Sequence, residues 1–312
     1  MKRVITIKDA GEQWLRTCEL NELERATLCS YRQHLDLHIL PLLGEHSVDE
    51  LSAGDIYEFI ETLRDTLSQA MLRKVLGSLR ALISEAVARG QVARNVAADV
   101  RLRNSRRSKE ECIIPSKQEI RALLAACPDK YRAFLTVAVF TGMRASELRG
   151  LRWENVDFDR QIIQVRERVD RWNEFGMPKS RAGRRNIPMA PVVKEVLSDW
   201  VGRCPKRNLG LVFPNGAGNP ETHSNLYNRF FLPLMVECGV VNKKGKPRFG
   251  MHALRHAAAS LFIEQGWSPK KIQTLMGHAS INMTFDVYGH LFDDMEGDIE
   301  RMAKLEKDLM AA

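Results

Sequence analysis

The sequence predicts a mainly α-helical protein with a small β component: a helical N-terminal bundle followed by an α+β C-terminal domain. Apolar residues recur at helical spacing through the first hundred residues. Two short segments that alternate apolar and polar residues appear only after residue 160. A basic stretch with almost no apolar side chains, residues 101–109, separates the two halves. These three observations together indicate two domains joined by a linker.

Four helices are predicted in the N-terminal half, at 10–20, 28–40, 56–67 and 68–89. The second is expected to stop at Pro41 and Gly44, because proline cannot continue a regular helix. Ser52 and Asp55 have the spacing of a capping box that opens the third helix. The fourth helix ends at a glycine, Gly90, and carries one apolar stripe: Leu72, Val75, Leu76, Leu79, Leu82, Ile83 and Val87. Short connections between the helices favour a small bundle.

The C-terminal half mixes helices and strands. A second capping box, Ser116 with Glu119, opens a helix that runs to residue 126. Strands are predicted at 161–167 and 185–189, separated by a segment rich in Gly, Pro and Ser at 176–183. Further helices are predicted at 131–140, 192–200, 224–238, 253–265, 269–276 and 296–310. The predicted domains are therefore 1–100, a basic linker at 101–114, and 115–312 with a C-terminal helix.

Composition narrows the class of protein. The net charge of +8 favours a polyanionic partner such as nucleic acid. The six cysteines are scattered without a C-x-x-C pair, which predicts reduced thiols rather than disulfides or a zinc site. Neither a signal-peptide core nor a run of about 18 apolar residues is found. We therefore expect a soluble cytoplasmic protein with no membrane partner.

Four segments of the C-terminal half carry residues suited to phosphodiester chemistry. Breaking and rejoining DNA without a metal requires a nucleophile, cations that neutralise the charge on phosphorus, and an acid for the leaving oxygen. Arginine suits the cationic role, because its planar group donates to two phosphate oxygens at once. The segments are T-G-M-R-A-S-E-L at 141–148, P-K-S-R-A-G-R-R at 178–185, H-A-L-R-H at 252–256, and L-M-G-H-A-S at 275–280 with D-V-Y-G-H at 286–290.

In this order of motifs the chain resembles the tyrosine recombinase family, also called the phage integrase or lambda-integrase family, in its mobile-element form. The N-terminal half resembles the family's helical core-site DNA-binding domain, including the closing segment at 89–97, R-G-Q-V-A-R-N-V-A. The C-terminal half resembles the catalytic domain. The resemblance implies a site-specific recombinase that integrates or excises a prophage or mobile element through a 3′-phosphotyrosine intermediate.

The same resemblance implies a catalytic role for six residues: Arg144, Lys179, His252, Arg255, His278 and Tyr288. The two arginines would clamp the scissile phosphate, and His278 would donate a further hydrogen bond to it. Lys179, in the turn between the two predicted strands, would protonate the departing 5′-hydroxyl. His252 would act in proton transfer or bind the phosphate, and Tyr288 would attack phosphorus.

Some residues keep more than one interpretation. Glu147 matches an acidic position of the family and is interpreted as a support for the site. Lys179 is also explained as one more phosphate-binding or solvated charge among several arginines. His256 and His290 flank the motifs without matching a catalytic position, and neither is assigned. The basic run at 243–248 favours a loop on the DNA backbone over a solvated turn.

The implied partner is double-stranded DNA, bound by a homotetramer on synapsed sites, with the monomer as the form free in solution. Accessory DNA-bending or directionality factors stay open, as does self-packing or docking on a neighbouring subunit for the C-terminal helix. No cofactor or metal is expected, because the phosphotyrosine conserves the bond energy and Arg and Lys supply the charge. Three rivals remain: a Xer-like resolvase of chromosome or plasmid dimers, a type IB topoisomerase, and a non-catalytic DNA-binding regulator.

Overall fold

The structure is a computed structural model that describes residues 4–102, 113–205, 207–291 and 295–310. The chain divides into two compact units, Met1–Lys109 and Glu110–Ala312. Most of the predicted linker, with Arg103, Arg106, Arg107 and Lys109, lies outside the described residues. The predicted domain boundaries and the linker therefore stay predictions, and each unit is described by itself.

In the first unit, the described residues 4–102 form helices joined by short turns and loops. Its α-helices are α1 (Ile7–Leu20), α2 (Arg25–His34), α3 (Leu40–Leu43), α4 (Ala53–Arg64), α5 (Gln69–Ala88) and α6 (Val96–Asp99). The long helix α5 packs against α1, α2 and α4 and buries its apolar stripe from Leu72 to Ile83, while Val87 is only half-buried. The predicted capping box opens α4, with the Asp55 amide donating to the Ser52 hydroxyl and the Ser52 amide donating to the Asp55 carboxylate.

The predicted stop at Pro41 and Gly44 was wrong for Pro41, because the helix widens before the proline, and is confirmed for Gly44, which caps the end of α3. Residues Leu35–Ile39 form a π-helical turn between α2 and α3, and the Leu40 amide donates to the carbonyl of Leu35. Pro41 then falls in the first turn of α3, where its missing N–H is not needed. The second unit contains the same arrangement: Pro233 lies in the first turn of a helix and follows a π-helical turn at Leu226–Phe231.

The second unit combines helices with two small sheets. It begins with α7 (Lys117–Ala126), α8 (Asp129–Thr141) and α9 (Ala145–Arg149). The strands follow: β1 (Val156–Asp157), β2 (Ile162–Val165), β3 (Arg168–Val169), β4 (Phe175–Gly176) and β5 (Arg185–Pro188). The remaining helices are α10 (Pro191–Arg203), α11 (His223–Asn225), α12 (Leu232–Glu237), α13 (Ala253–Glu264), α14 (Pro269–Met276), α15 (Asn282–Tyr288) and α16 (Met295–Met310).

The predicted strand pair is present as β2 and β5. They run antiparallel with Ile163 opposite Ile187, and β1 adds a third strand on the other side of β2. Strands β2 and β5 both alternate buried and more exposed residues, which is the pattern that predicted them. The segment between β2 and β5 also forms a two-stranded antiparallel hairpin of β3 and β4. The predicted mainly α fold with a small β component is therefore confirmed.

Helix α8 forms the centre of the second unit's core. It packs against α10 and α13, and its apolar residues are buried from Ala133 to Val139. The C-terminal end of α8 leads to the site, because its last residue, Thr141, begins the motif at 141–148. In the described part of the chain, no helix is both long enough and apolar enough to cross a membrane.

Candidate active site

Five of the six predicted site residues gather around the C-terminal end of α14. Arg144 and Arg255 donate to backbone carbonyls at that end, and His278 follows it directly. Tyr288 belongs to the same buried apolar cluster as Met276, and His252 lies one helical turn from His256, whose ring is next to Tyr288. Residues far apart in the sequence are thus brought to one small region of the second unit.

The last carbonyl groups of α14 are bound by three different arginines. Arg185 Nε donates to the carbonyl of Leu275, Arg255 Nη2 donates to that of Met276, and Arg144 Nη2 donates to that of Gly277 at 3.1 Å. Carbonyls at a helix C-terminus lack intrahelical donors and lie at the negative end of the helix dipole, which favours cations there. This helix end therefore holds three positive charges in fixed positions.

Glycine permits the close approach of these groups at two helix ends. Gly277 ends α14 and Gly142 ends α8, both with a left-handed backbone. The carbonyl of Gly142 accepts a 2.7 Å hydrogen bond from Arg255 Nη1. Arg255 is therefore held between the ends of α8 and α14. A side chain at Gly142 would meet Met276 Sδ at 2.9 Å, so the site is also sterically closed to larger residues.

Glu147 connects two of the arginines. Its carboxylate accepts hydrogen bonds from Arg144 Nη1 at 2.8 Å and from Arg185 Nη2 at 2.9 Å, and only 2% of its side chain is exposed. Burial alone would raise the pKa of Glu147, but the hydrogen bonds and charges of Arg185 and Arg144 hold that pKa below its usual range. The group is a buried carboxylate that fixes the Arg144 side chain, as the sequence interpretation of a supporting residue requires.

The histidines of the site are held neutral. Desolvation, with the charges of Arg255 and Arg144 adding to it, lowers the pKa of His278 to about 4. The same causes, together with the neighbouring His256, lower the pKa of His252 to about 4. His278 Nδ1 lies 2.9 Å from the hydroxyl of Thr284, which orients the ring. Each ring can therefore donate one N–H to a phosphate without adding a full charge.

Tyr288 is buried, with 1% of the residue's surface exposed. Its ring packs among Ala259, Ile263, Ile272 and Met276. Its hydroxyl lies 2.6 Å from Nδ1 of His256, a residue that the sequence analysis left unassigned. The observed partner of the predicted nucleophile is thus His256, one helical turn after His252.

Lys179 stands apart from the other five residues. It is exposed on the segment between β4 and β5, and no hydrogen bond or ion pair joins it to them in the described residues. The structure therefore leaves the sequence interpretation of Lys179 untested.

The charge of the cluster favours an anion. Arg144, Arg185 and Arg255 bring three positive charges and Glu147 one negative charge, which leaves two positive charges among these four residues. Burial and the nearby Arg144 charge lower the pKa of Arg255 to about 9, which still leaves it protonated at neutral pH. A transferring phosphoryl group carries close to the opposite charge, so the cluster can stabilise it.

An open cavity of about 690 Å³ borders the cluster at His278 and Arg185. The residues that line it in the described part of the chain include no acidic side chain. They are Arg166, Ala182, Arg184, Arg185, Asn186, Lys270, Gln273, Thr274 and His278. A surface of this composition fits a nucleic-acid backbone. Within the described residues, no group of three or more His, Cys, Asp or Glu side chains is arranged to hold a metal ion.

We expect Gly277→Ala to destabilise the second unit by about 2–4 kcal/mol, from the left-handed backbone and the added contacts. Its φ is +64°, and a Cβ would lie 3.0 Å from both the carbonyl of Ala182 and Arg185 Nη1. Urea unfolding followed by tryptophan fluorescence measures the change. The matched control is Gly266→Ala, whose φ of +74° has no neighbour within 4 Å, so that only the backbone cost of about 1–2 kcal/mol applies. An equal loss in the free energy of unfolding in both variants would contradict the close packing at Gly277.

The sequence matches two family profiles that cover both units. The profile described as phage integrase family matches residues 116–295. The profile described as phage integrase central domain matches residues 7–103.

Two curated relatives and one solved structure illustrate the similarity. An integrase of Streptomyces ambofaciens is 27% identical over 91% of this chain and 76% of its own length. The transposase from transposon Tn916 of Enterococcus faecalis is 29% identical over 62% of this chain, and the matched region spans 51% of that relative. The structure of the Tn1549 transposon integrase in complex with a circular intermediate DNA superposes with a TM-score of 0.82 at 21% identity, covering 95% of this chain and 99% of that one. The last similarity shows the fold.

Proposed function

The chain belongs to the phage integrase family, the tyrosine recombinases that cleave and rejoin DNA, and from this premise we propose that it is a site-specific recombinase acting at the ends of a mobile element or prophage. The observation that carries the proposal is the convergence of Arg144, Arg255 and His278 beside Tyr288 in a cluster with two excess positive charges. A non-catalytic regulator would need a basic surface but not this buried arrangement.

The proposed reaction begins with the phosphate. Arg144 and Arg255 bind its non-bridging oxygens, because both guanidinium groups are fixed by the carbonyls of α8 and α14 before DNA arrives. His278 adds a hydrogen bond from the ring nitrogen that faces away from Thr284. His252 lies three residues before Arg255 and adds a polar contact or takes part in proton transfer.

Strand cleavage follows by attack of the Tyr288 oxygen on phosphorus. The phosphorus–oxygen bond to the 5′ sugar breaks, which leaves a 3′-phosphotyrosine and a free 5′-hydroxyl. Lys179 protonates the departing oxygen. The 5′-hydroxyl of the other strand then attacks the phosphotyrosine and releases Tyr288, so no external energy source enters the reaction.

DNA contacts outside the cluster come from basic surfaces. The cavity beside His278 supplies Arg166, Arg184 and Lys270 to the backbone. The loop before α13, residues 243–248, adds exposed lysines at a tight turn centred on Gly245. Such contacts give affinity and register, whereas groove contacts select the sequence. Because the proposed substrate is DNA, a cytoplasmic location is part of the proposal.

Strand exchange between two sites requires four active sites, and we propose a homotetramer on synapsed DNA. Helix α16 supports this assembly, because it exposes an apolar stripe that its own unit does not cover: Ile299, Met302, Leu305 and Leu309. A neighbouring subunit of the same chain is the proposed occupant of this stripe. Accessory bending or directionality factors have no support in the chain itself.

The test is to trap the covalent intermediate. Duplexes selected from a random-sequence library for binding to the chain are each given one nick at a different position, so that the short strand released by cleavage diffuses away. We expect a denaturation-resistant adduct, and mass spectrometry of its peptides is expected to find the nucleotide on Tyr288. A nucleotide on another residue would overturn the assignment. Relaxation of plasmids that lack the selected sequence would instead favour a type IB topoisomerase.

A further inference from the structure

The hydroxyl of Tyr288 has a hydrogen-bonding partner that the family-based assignment does not include. Nδ1 of His256 lies 2.6 Å from the Tyr288 oxygen, which is within the normal range for a strong O–H···N bond. The two rings are 5.7 Å apart between centroids and inclined by 54°. Since His256 belongs to α13 and Tyr288 ends α15, the contact joins the end of one helix to the first turn of another.

The surroundings make His256 an acceptor rather than a cation. Burial, with the charge of Arg255 adding to it, lowers the pKa of the His256 imidazole. A neutral imidazole carries one proton, so one ring nitrogen is free to accept. The tyrosine hydroxyl, with an ordinary pKa of ~10, carries its proton at neutral pH and is the donor in such a pair.

His252, the residue that the sequence analysis assigned to proton transfer, is one step further away. Its ring stands edge-on to His256 with centroids 4.9 Å apart. The order His252, His256, Tyr288 therefore runs inward from the exposed end of the motif to the buried hydroxyl. His256 is the ring in direct contact with the reacting oxygen.

We propose that His256 orients the Tyr288 hydroxyl and accepts its proton when Tyr288 attacks phosphorus. The Tyr288 O–H bond breaks as the oxygen–phosphorus bond forms, and the proton moves to His256 Nδ1. In the reverse step, a 5′-hydroxyl attacks phosphorus and gives its proton to Lys179, the bond from phosphorus to the Tyr288 oxygen breaks, and the imidazolium returns its proton to that oxygen. No oxidant, metal or further reactant enters either step. The proposal rests on the proposed function of Tyr288.

Four groups surround the His256 ring and set its pH dependence. Arg255 lies on α13 and His252 directly precedes that helix, Tyr288 lies on α15, and His278 lies between α14 and α15. Because the pKa of His256 is lowered from its ordinary value of 6.5, the neutral acceptor form predominates at neutral pH and is lost in more acidic solution. The rate of adduct formation should therefore fall on the acid side below pH 6.5.

The decisive variant is His256→Asn, whose side-chain oxygen can accept the Tyr288 hydrogen bond but cannot take the proton. We expect adduct formation on the nicked duplexes to slow by about a hundredfold or more, the range of general-base catalysis. We also expect the fall in the rate of adduct formation below pH 6.5 to change in this variant. Adduct formation at the rate of the unchanged chain, with the same pH profile, would overturn the proposal.

The chain offers a matched control. His34 is also buried, and its Nδ1 lies 2.8 Å from the hydroxyl of Ser78 in the first unit. His34→Asn makes the same substitution in a similar contact outside the site, and it should leave the rate and the pH profile of adduct formation unchanged. If the unchanged chain forms no adduct on Tyr288, the proposed function fails and not the role of His256 alone.

A measurement without DNA keeps the proposal testable should His256→Asn not fold. Nitrogen-15 NMR of the unchanged protein at neutral pH, with resonances identified by comparison among histidine variants, reports which ring nitrogen carries the proton. We expect His256 to carry it on Nε2, with Nδ1 shifted by the Tyr288 hydrogen bond and returning towards its free value in Tyr288→Phe. A proton on Nδ1 would overturn the proposal, because that nitrogen would then donate to Tyr288.

Discussion

Replacing Tyr288 by phenylalanine is expected to abolish the covalent protein–DNA adduct while the chain stays folded and still binds DNA. The ring stays in the buried apolar cluster that includes Met276 and Ile272, because phenylalanine has the same shape without the hydroxyl. In this variant Nδ1 of His256 loses its hydrogen bond from the Tyr288 hydroxyl, which lowers the free energy of unfolding by about 1–3 kcal/mol. The nicked duplexes measure the adduct, and gel shifts with the same duplexes measure binding.

Tyr131→Phe provides the control for Tyr288→Phe. Its ring stacks on Phe230 with centroids 4.1 Å apart, in the core of the same unit but away from the arginine cluster. Adduct formation should be unchanged in this variant. An adduct that persists in Tyr288→Phe would refute the nucleophile. A chain that binds DNA but forms no adduct even with Tyr288 intact would indicate the non-catalytic regulator.

Local sequence patterns predicted much of the fold because each reports a local physical requirement. The capping boxes at Ser52 and Ser116 satisfy free amides at the start of α4 and α7, and both are present in the structure. The alternation in β2 and β5 reflects one buried face of the sheet. Short elements escaped prediction for the same reason, since α9 and the β3–β4 hairpin contain too few residues to show a period.

The supporting contacts of the site could not be predicted in the same way. Arg185 is one of several arginines in the segment at 178–185, and the sequence gives no sign that it is the buried one paired with Glu147. Its burial follows from β5, which turns that position inward next to the end of α14. Only the pairing of distant elements decides which basic residue is structural and which faces solvent.

His256 illustrates a signal that was present but incomplete. Its spacing of four residues from His252 places both rings on one face of a helix, which the sequence already indicated. The position of Tyr288 was also known. What was missing is the packing of α15 against α14, because that contact brings the Tyr288 hydroxyl towards α13. The tertiary structure therefore identifies His256, and not His252, as the histidine next to the Tyr288 hydroxyl.

Replacing Lys179 by alanine is expected to slow cleavage by about 10²–10⁴-fold, the contribution of a general acid to a leaving group. The fold should be unaffected, since Lys179 is exposed and lies between β4 and β5 rather than in the core. An exposed lysine can reach the leaving oxygen only if the segment at 178–184 approaches the DNA. The measurement is the rate of adduct formation on duplexes that carry the cleaved bond in its natural form.

A duplex with sulfur in place of the bridging 5′ oxygen separates the two interpretations of Lys179. A thiol leaves without protonation, because its pKa is far below that of an alcohol. If Lys179 is the acid, the alanine variant should cleave the sulfur substrate at nearly the rate of the unchanged chain. If Lys179 only binds phosphate, the defect should be equal on both substrates. Arg181→Ala is the matched control, since Arg181 begins the short turn two residues later, and loss of a backbone contact there should weaken both reactions alike.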